Sequence, residues 1–204
     1  MKLYTTPKSA NGVKALAAFY HLEVPVEVVI VDVYAGAGRD PAYLKVNPQG
    51  KVPTLVDGEL VLWESNAILQ YLADTHGKLW ADDAAGRADI NRWLFWESAH
   101  WQPVLSKILT PMVVWKLGLG LQPSKALDWS GVAQQLSLLE GHLQDREFLV
   151  GERLTIADLS IAAMLIYANV LPDGYPALQR WRARVAGLAA WQRALAGSPW
   201  VSPR

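Results

Sequence analysis

Cysteine is absent from the 204-residue sequence. That absence excludes disulfides, thiolate-held metals and a cysteine nucleophile supplied by the chain itself. Net charge is absent too, since 19 Lys and Arg balance 19 Asp and Glu. No basic stripe offers a footprint for nucleic acid, and no block of like charge marks a tail. No uninterrupted apolar run approaches the ~18 residues that a membrane span requires. The opening "MKLYTTPKSA" has no long apolar stretch before Pro7 and does not read as a secretory signal. A cytoplasmic setting without a metal is the expectation. Internal repeats and low-complexity tracts are also lacking. Tryptophan, by contrast, is abundant, with ten in the chain. Most are expected in helix packing, and some are available to line an apolar pocket.

The first part of the chain alternates strand and helix patterns. "KLYT" reads as a short strand, and "GVKALAAFYHL" carries apolar residues at helical spacing. "VEVVIVDV" has the β-branched run of a buried parallel strand. In "DPAYLKV" Pro41 suits a first helical position. Asp57-Gly58 lies between two apolar runs and signals a hairpin. "SNAILQYLADTHG" is an amphipathic helix with Ser65 as the expected N-cap and Gly77 as its stop. From about Arg87 onward every pattern is helical. The run at 88–109 places Ile90, Trp93, Leu94, Trp101, Leu105 and Ile108 on one face, and Pro103 and Pro111 are expected to bend or break it. Further helices are expected over 125–143, over 154–171 and within 175–195. The division is therefore an α/β domain at 1–78, a linker at 79–86 and an all-helical domain at 87–204.

The stretch "NPQGKVPTLVDGELVLWESNAI" (47–68) concentrates three signals. Val52-Pro53 is a bond type that turns cis at modest cost, about 0.5–1 kcal/mol. A cis bond would direct the Val52 backbone out of the sheet, where an extended peptide can pair with it. The alternative is an ordinary trans proline at a strand start. Ser65 is either a simple cap or part of an anion site, because free N–H groups at a helix start bind carboxylates. Glu64 beside it can hold an ammonium. Together these describe a site for an extended, zwitterionic, peptide-like ligand.

The same stretch resembles the glutathione-binding segment of cytosolic glutathione transferases. "LTIADLS" is similar to the capping motif of the family's central C-terminal helix. There Thr155 and Asp158 form a capping box flanked by Leu154 and Leu159, with a folding role. The resemblance spans essentially the whole chain. It implies an α/β thioredoxin-like N-terminal domain of order βαβαββα, followed by an all-α helical bundle. It further implies that glutathione is the co-substrate. Val52, ahead of Pro53, would pair with its cysteinyl backbone. Lys51, with Gln49 nearby, would reach the glycine carboxylate. Glu64 and Ser65, with Asn66 beside them, would hold the γ-glutamyl end.

In this family the thiol-activating group follows the first strand. With no cysteine, the cysteine-type classes are excluded. Tyr4 lies inside the strand, and Thr5 and Thr6 are further hydroxyls. Ser9 best fits the serine-type classes (theta, phi, delta). "SANGVK" is also similar to the Thr/Ser-x-Asn-Gly-x-Lys pattern of the bacterial nu class, which makes Asn11 a partner or rival of Ser9. The electrophile would lie against the first long helix of the helical domain, with Trp101 and Trp115 as pocket candidates. His100, a lone helical histidine, reads as structural or exposed. The expected activity is glutathione S-transfer to a small hydrophobic electrophile, by a homodimer. The alternatives are a glutathione-dependent disulfide reductase or peroxidase, and a non-catalytic binding module that kept the fold.

Overall fold

The computed structural model describes residues 1–120, 128–168 and 171–200. Its contacts divide the chain into two units. One is Met1–Lys78 together with the segment that starts at Ala189, and the other is Leu79–Leu188. None of the described helices is long and apolar enough to cross a membrane.

In the first unit the chain runs β1 (Lys2–Thr5), α1 (Ala10–His21), β2 (Glu27–Ile30), two short 3-10 turns, α2 (Pro41–Leu44), β3 (Thr54–Asp57), β4 (Leu60–Trp63) and α3 (Ser65–His76). The sheet order is β2-β1-β3-β4, with β2 parallel to β1 and the other pairs antiparallel. Asp57 pairs with Leu60, so Gly58 and Glu59 form the hairpin turn, and Gly58 takes the positive φ of 59° that such turns require. Leu3, Leu55, Phe19, Ile68 and Leu72 build the core.

Three expectations need correction here. The run at 26–33 does form a parallel strand, but β2 lies at the sheet edge and Ile30 is 60% exposed. Its continuous apolar pattern does not reflect burial on both faces. Ser65 is the first helical residue of α3, and Glu64 holds the N-cap position at φ 70°. The strand-to-helix reversal at Trp63–Glu64 moves the helix start by one residue. The last described helix, α9 (Ala189–Ala194), packs on α1 and belongs to the first unit. Trp191 is buried, and the Arg193 guanidinium sits 4.0 Å from the Tyr20 ring centroid.

The second unit holds α4 (Ala84–Trp96), a π-helical turn (Glu97–Trp101), α5 (Gln102–Lys116), α6 (Ala133–Leu143), α7 (Ile156–Ala163) and α8 (Pro176–Ala186). Residues 125–127 and 169–170 of two expected helices, and 201–204 of the helical domain, lie outside the described residues. Segment 79–86 is no free linker, since Leu79 and Trp80 are buried and the Leu79 carbonyl accepts from Ile156 N. Pro103 directly follows the π turn in the first turn of α5, where its missing N–H costs little. Pro111 sits inside α5 without ending it.

At the start of α7 the capping box forms as expected. Thr155 N, Thr155 Oγ1, Leu149 N and Trp181 Nε1 all donate to the Asp158 carboxylate, at 2.8–3.1 Å. Leu154 and Leu159 are buried on either side. Burial raises the Asp158 pKa, while the four donors oppose that rise.

Candidate active site

The sheet register assembles the site. Tyr4 pairs with Thr54, and Thr54 pairs with Trp63. This single row crosses β1, β3 and β4, with about 4.8 Å between neighbouring strands. β1 and β4 leave the sheet at that end, and β3 enters there. Three segments far apart in sequence therefore meet at one edge. They are the Thr6–Ser9 loop, Val52-Pro53 and Glu64-Ser65. β2 ends at the same edge, with Thr5 opposite Ile30.

Ser9 is the N-cap of α1, with φ −97° and ψ 122°. Its Oγ accepts from Gly12 N at 3.2 Å, and its carbonyl accepts from Val13 N at 2.9 Å. Ser9 is 8% exposed, and its hydroxyl hydrogen goes to no described residue. Gly12 is required at this turn, because a Cβ there would collide with Thr5 Oγ1 and come within 3.2 Å of the Thr6 carbonyl. Asn11 stands on the first turn, partly exposed. Its Oδ1 is buried without a described partner, so the amide nitrogen is the half able to donate to an anion. Thr5 and Thr6 are buried, and Thr6 Oγ1 accepts from Lys8 N at 3.5 Å. Tyr4 packs its ring on Tyr43, with centroids 5.7 Å apart. Lys8 Nζ pairs with Asp32 Oδ2 at 2.6 Å, and this bond is the main cause of a lowered Asp32 pKa. The Lys8 carbonyl accepts from Trp200 Nε1 at 2.9 Å.

The Val52-Pro53 bond is cis. β3 begins only at Thr54, and the Val52 backbone bonds to no described residue. Two residues that the sequence reading passed over brace this corner. The buried Asn47 donates from Nδ2 to the Lys51 carbonyl and to Thr54 Oγ1, both at 2.9 Å, while its Oδ1 accepts from Gln49 N. The Tyr43 hydroxyl donates to the same Lys51 carbonyl at 2.6 Å and lies 3.0 Å from Thr54 Oγ1. Burial pushes the Tyr43 pKa up. An asparagine two residues before Gln49 in "NPQGKVP" was the available signal. Lys51 and Gln49 are exposed, Glu64 is exposed, and Ser65 is buried at the first turn of α3.

Of the two pocket candidates, Trp101 is withdrawn. It is 0% exposed, and its Nε1 donates to the Ile161 carbonyl at 3.0 Å, so it is an internal packing residue. Trp115 is partly exposed near the end of α5, and His100 is exposed on the π turn.

Comparison with known proteins gives a consistent result. Residues 1–74 match the family model of the glutathione S-transferase N-terminal domain, and residues 122–184 match that of the C-terminal domain. Glutathione S-transferase 3 of Zea mays is 31% identical, with 100% of this chain and 96% of that protein aligned. Glutathione S-transferase GstB of Escherichia coli (strain K12) is 31% identical over 88% of this chain and 89% of its own. The theta-class glutathione S-transferase of Xanthomonas axonopodis pv. citri, solved with glutathione bound, superposes with a TM-score of 0.81 at 30% identity. That match covers 95% of this chain and 96% of the other.

Proposed function

Because the chain belongs to the glutathione S-transferase family, we propose that its sheet-edge site binds reduced glutathione and holds the thiol as a thiolate for attack on an apolar electrophile. The observation that supports this reading is the Tyr4–Thr54–Trp63 row, which brings the Thr6–Ser9 loop, Val52-Pro53 and Glu64-Ser65 to one edge. The extended tripeptide adds to the Val52 backbone like a strand. Lys51, with Gln49 at its side, faces the glycine carboxylate. Glu64 takes the γ-glutamyl ammonium, and the N–H groups around Ser65 take its carboxylate.

Activation of the sulfur asks little of the protein. A thiol of pKa ~8.5 must reach about 6.5 to ionise at neutral pH, a preference of about 2.7 kcal/mol. A hydrogen bond to a charged group supplies roughly 1.5–3 kcal/mol. The N-terminal end of α1 adds up to about 1 kcal/mol. Ser9 accepts from Gly12 and can still donate its own hydrogen, so capping and thiolate stabilisation are compatible. The serine acts as a donor, not a base. Asn11 is the second donor. Proximity supplies the rest of the rate. Trp115 is the remaining contact proposed for the electrophile. The family supports a homodimer and a cytoplasmic setting for this enzyme, and the balanced charge supports a small-molecule role over nucleic-acid binding.

The test is titration of the protein with reduced glutathione, followed by turnover with an activated aryl chloride and with a small disulfide. Binding with conjugate formation is expected. Absence of binding contradicts the reading and favours a non-catalytic module. Turnover of the disulfide alone moves the enzyme to the reductase class.

A further inference from the structure

We propose that Trp200 is a positioning residue for the transfer reaction, acting through the Lys8–Ser9 peptide on the Ser9 hydroxyl. This rests on the reading above, in which Ser9 holds the sulfur anionic. Trp200 belongs to the same unit as Ser9 and is 7% exposed. It follows α9, whose Arg193 lies over Tyr20 near the end of α1. The chain then runs back along α1, because Trp200 Nε1 donates to the Lys8 carbonyl at 2.9 Å, just ahead of the start of that helix. Ser198 is buried too, and its Oγ accepts from Trp200 N at 3.4 Å. Both Lys8 and Trp200 engage further neighbours as well.

The bond lands on one particular peptide unit. The Lys8 carbonyl and the Ser9 N–H lie in the same plane. Ser9 N donates to the Thr6 carbonyl at 3.1 Å. The plane is thus held at both ends, once within the loop and once from a residue 192 positions away. Holding the plane holds the Ser9 φ of −97°, which decides where its Cβ and Oγ stand. Gly12 N, donating to Oγ at 3.2 Å, completes the placement. The Lys8 side chain is tied separately, by Asp32. A phenylalanine would fill most of the space of Trp200 without a polar hydrogen to satisfy, so the N–H is what tryptophan adds here. A misaimed hydroxyl changes ionisation of the thiol. It leaves the tripeptide's proposed contacts at Lys51, Val52 and Glu64-Ser65 in place.

The experiment compares wild type, Trp200→Phe, Ser9→Ala and the Ser9→Ala/Trp200→Phe double variant. A fifth protein carries benzothienylalanine at position 200, which keeps the indole shape with sulfur in place of N–H. Thiolate absorbance reads the pKa of bound glutathione, calorimetry its dissociation constant, and conjugation is followed against pH at saturating glutathione. Both replacements of Trp200 should raise the bound thiol's pKa by about 0.5–1 unit above ~6.5. Conjugation should then fall about three- to tenfold near pH 5.5, where the thiol is mostly protonated, and match the wild type above about pH 8.5. The dissociation constant should change less than about twofold. With Ser9→Ala already present, Trp200→Phe should shift the thiol pKa no further. A thiol pKa unchanged in both replacements overturns the inference. So does a shift confined to Trp200→Phe, which reports lost packing, or a rate loss equal at every pH, or an equal shift in the Ser9→Ala background. If Trp200→Phe does not fold, the benzothienyl protein decides. A wild-type thiol pKa in Ser9→Ala, or failure of the wild type to bind glutathione, overturns the underlying reading and this inference with it.

Discussion

Two helix starts in this molecule use the same chemistry to opposite ends. At α7 the cap is closed. The Asp158 carboxylate takes four donors, Thr155 is buried beside it, and two leucines seal the turn. At α1 the cap is half used. Ser9 accepts one hydrogen at 3.2 Å, and its own hydrogen goes to no described residue. A cap with every valence filled serves stability. A cap with one valence open serves binding and chemistry, at a small cost in stability.

The largest effect should come from opening the closed cap. Asp158→Ala leaves Leu149 N, Thr155 N and Trp181 Nε1 without their acceptor, and should cost about 3–5 kcal/mol. Chemical denaturation would read this as a lower midpoint, while the folded fraction should bind glutathione with unchanged affinity. Next is the brace of the cis corner. Asn47→Ala removes two donors and one acceptor and should cost about 1–3 kcal/mol, with a weaker affinity for glutathione by calorimetry. Removing the open cap should barely register in stability. Ser9→Ala is expected to lower it by about 1 kcal/mol, yet it should remove most of the activity. If Ser9→Ala proves as destabilising as Asp158→Ala, the contrast between the two caps fails.

The smallest effect is a pH dependence in the first unit. Burial lowers the His21 pKa, the charge of Lys78 lowers it further, and Glu23 opposes them. Its folded pKa thus lies below the ordinary value of 6.5. The stability it contributes is present above that value and is lost as pH falls through the folded pKa. Denaturation of the wild type should soften between pH 6.5 and lower values, and His21→Gln should flatten that part of the profile.

The two caps also show what a sequence discloses. Capping is local chemistry, so the Thr155–Asp158 box was legible from neighbouring residues, whereas Ser9 was singled out through the family resemblance. At Val52-Pro53 the neighbouring residues left cis and trans both open, and only the family resemblance pointed to cis; the start of α3 at Glu64-Ser65 was legible to within one residue. What was hidden depends on partners distant in the chain. Sheet order decides that β2 is an edge, which no window of "VEVVIVDV" contains. Trp101 and Trp115 share helical spacing, and only the Ile161 carbonyl separates an internal residue from an accessible one. The packing of α9 on α1, the Asn47 brace and the Lys8–Trp200 bond are likewise tertiary facts.

The most direct test is a spectrophotometric titration of thiolate formation by bound glutathione, in wild type and in Ser9→Ala and Asn11→Ala. The wild type should ionise the thiol near pH ~6.5, about two units below the free value. Ser9→Ala should return it by at least one unit, and Asn11→Ala by less. A bound thiol that titrates alike in the wild type and in Ser9→Ala would show that the half-open cap of α1 is not what holds the sulfur anionic.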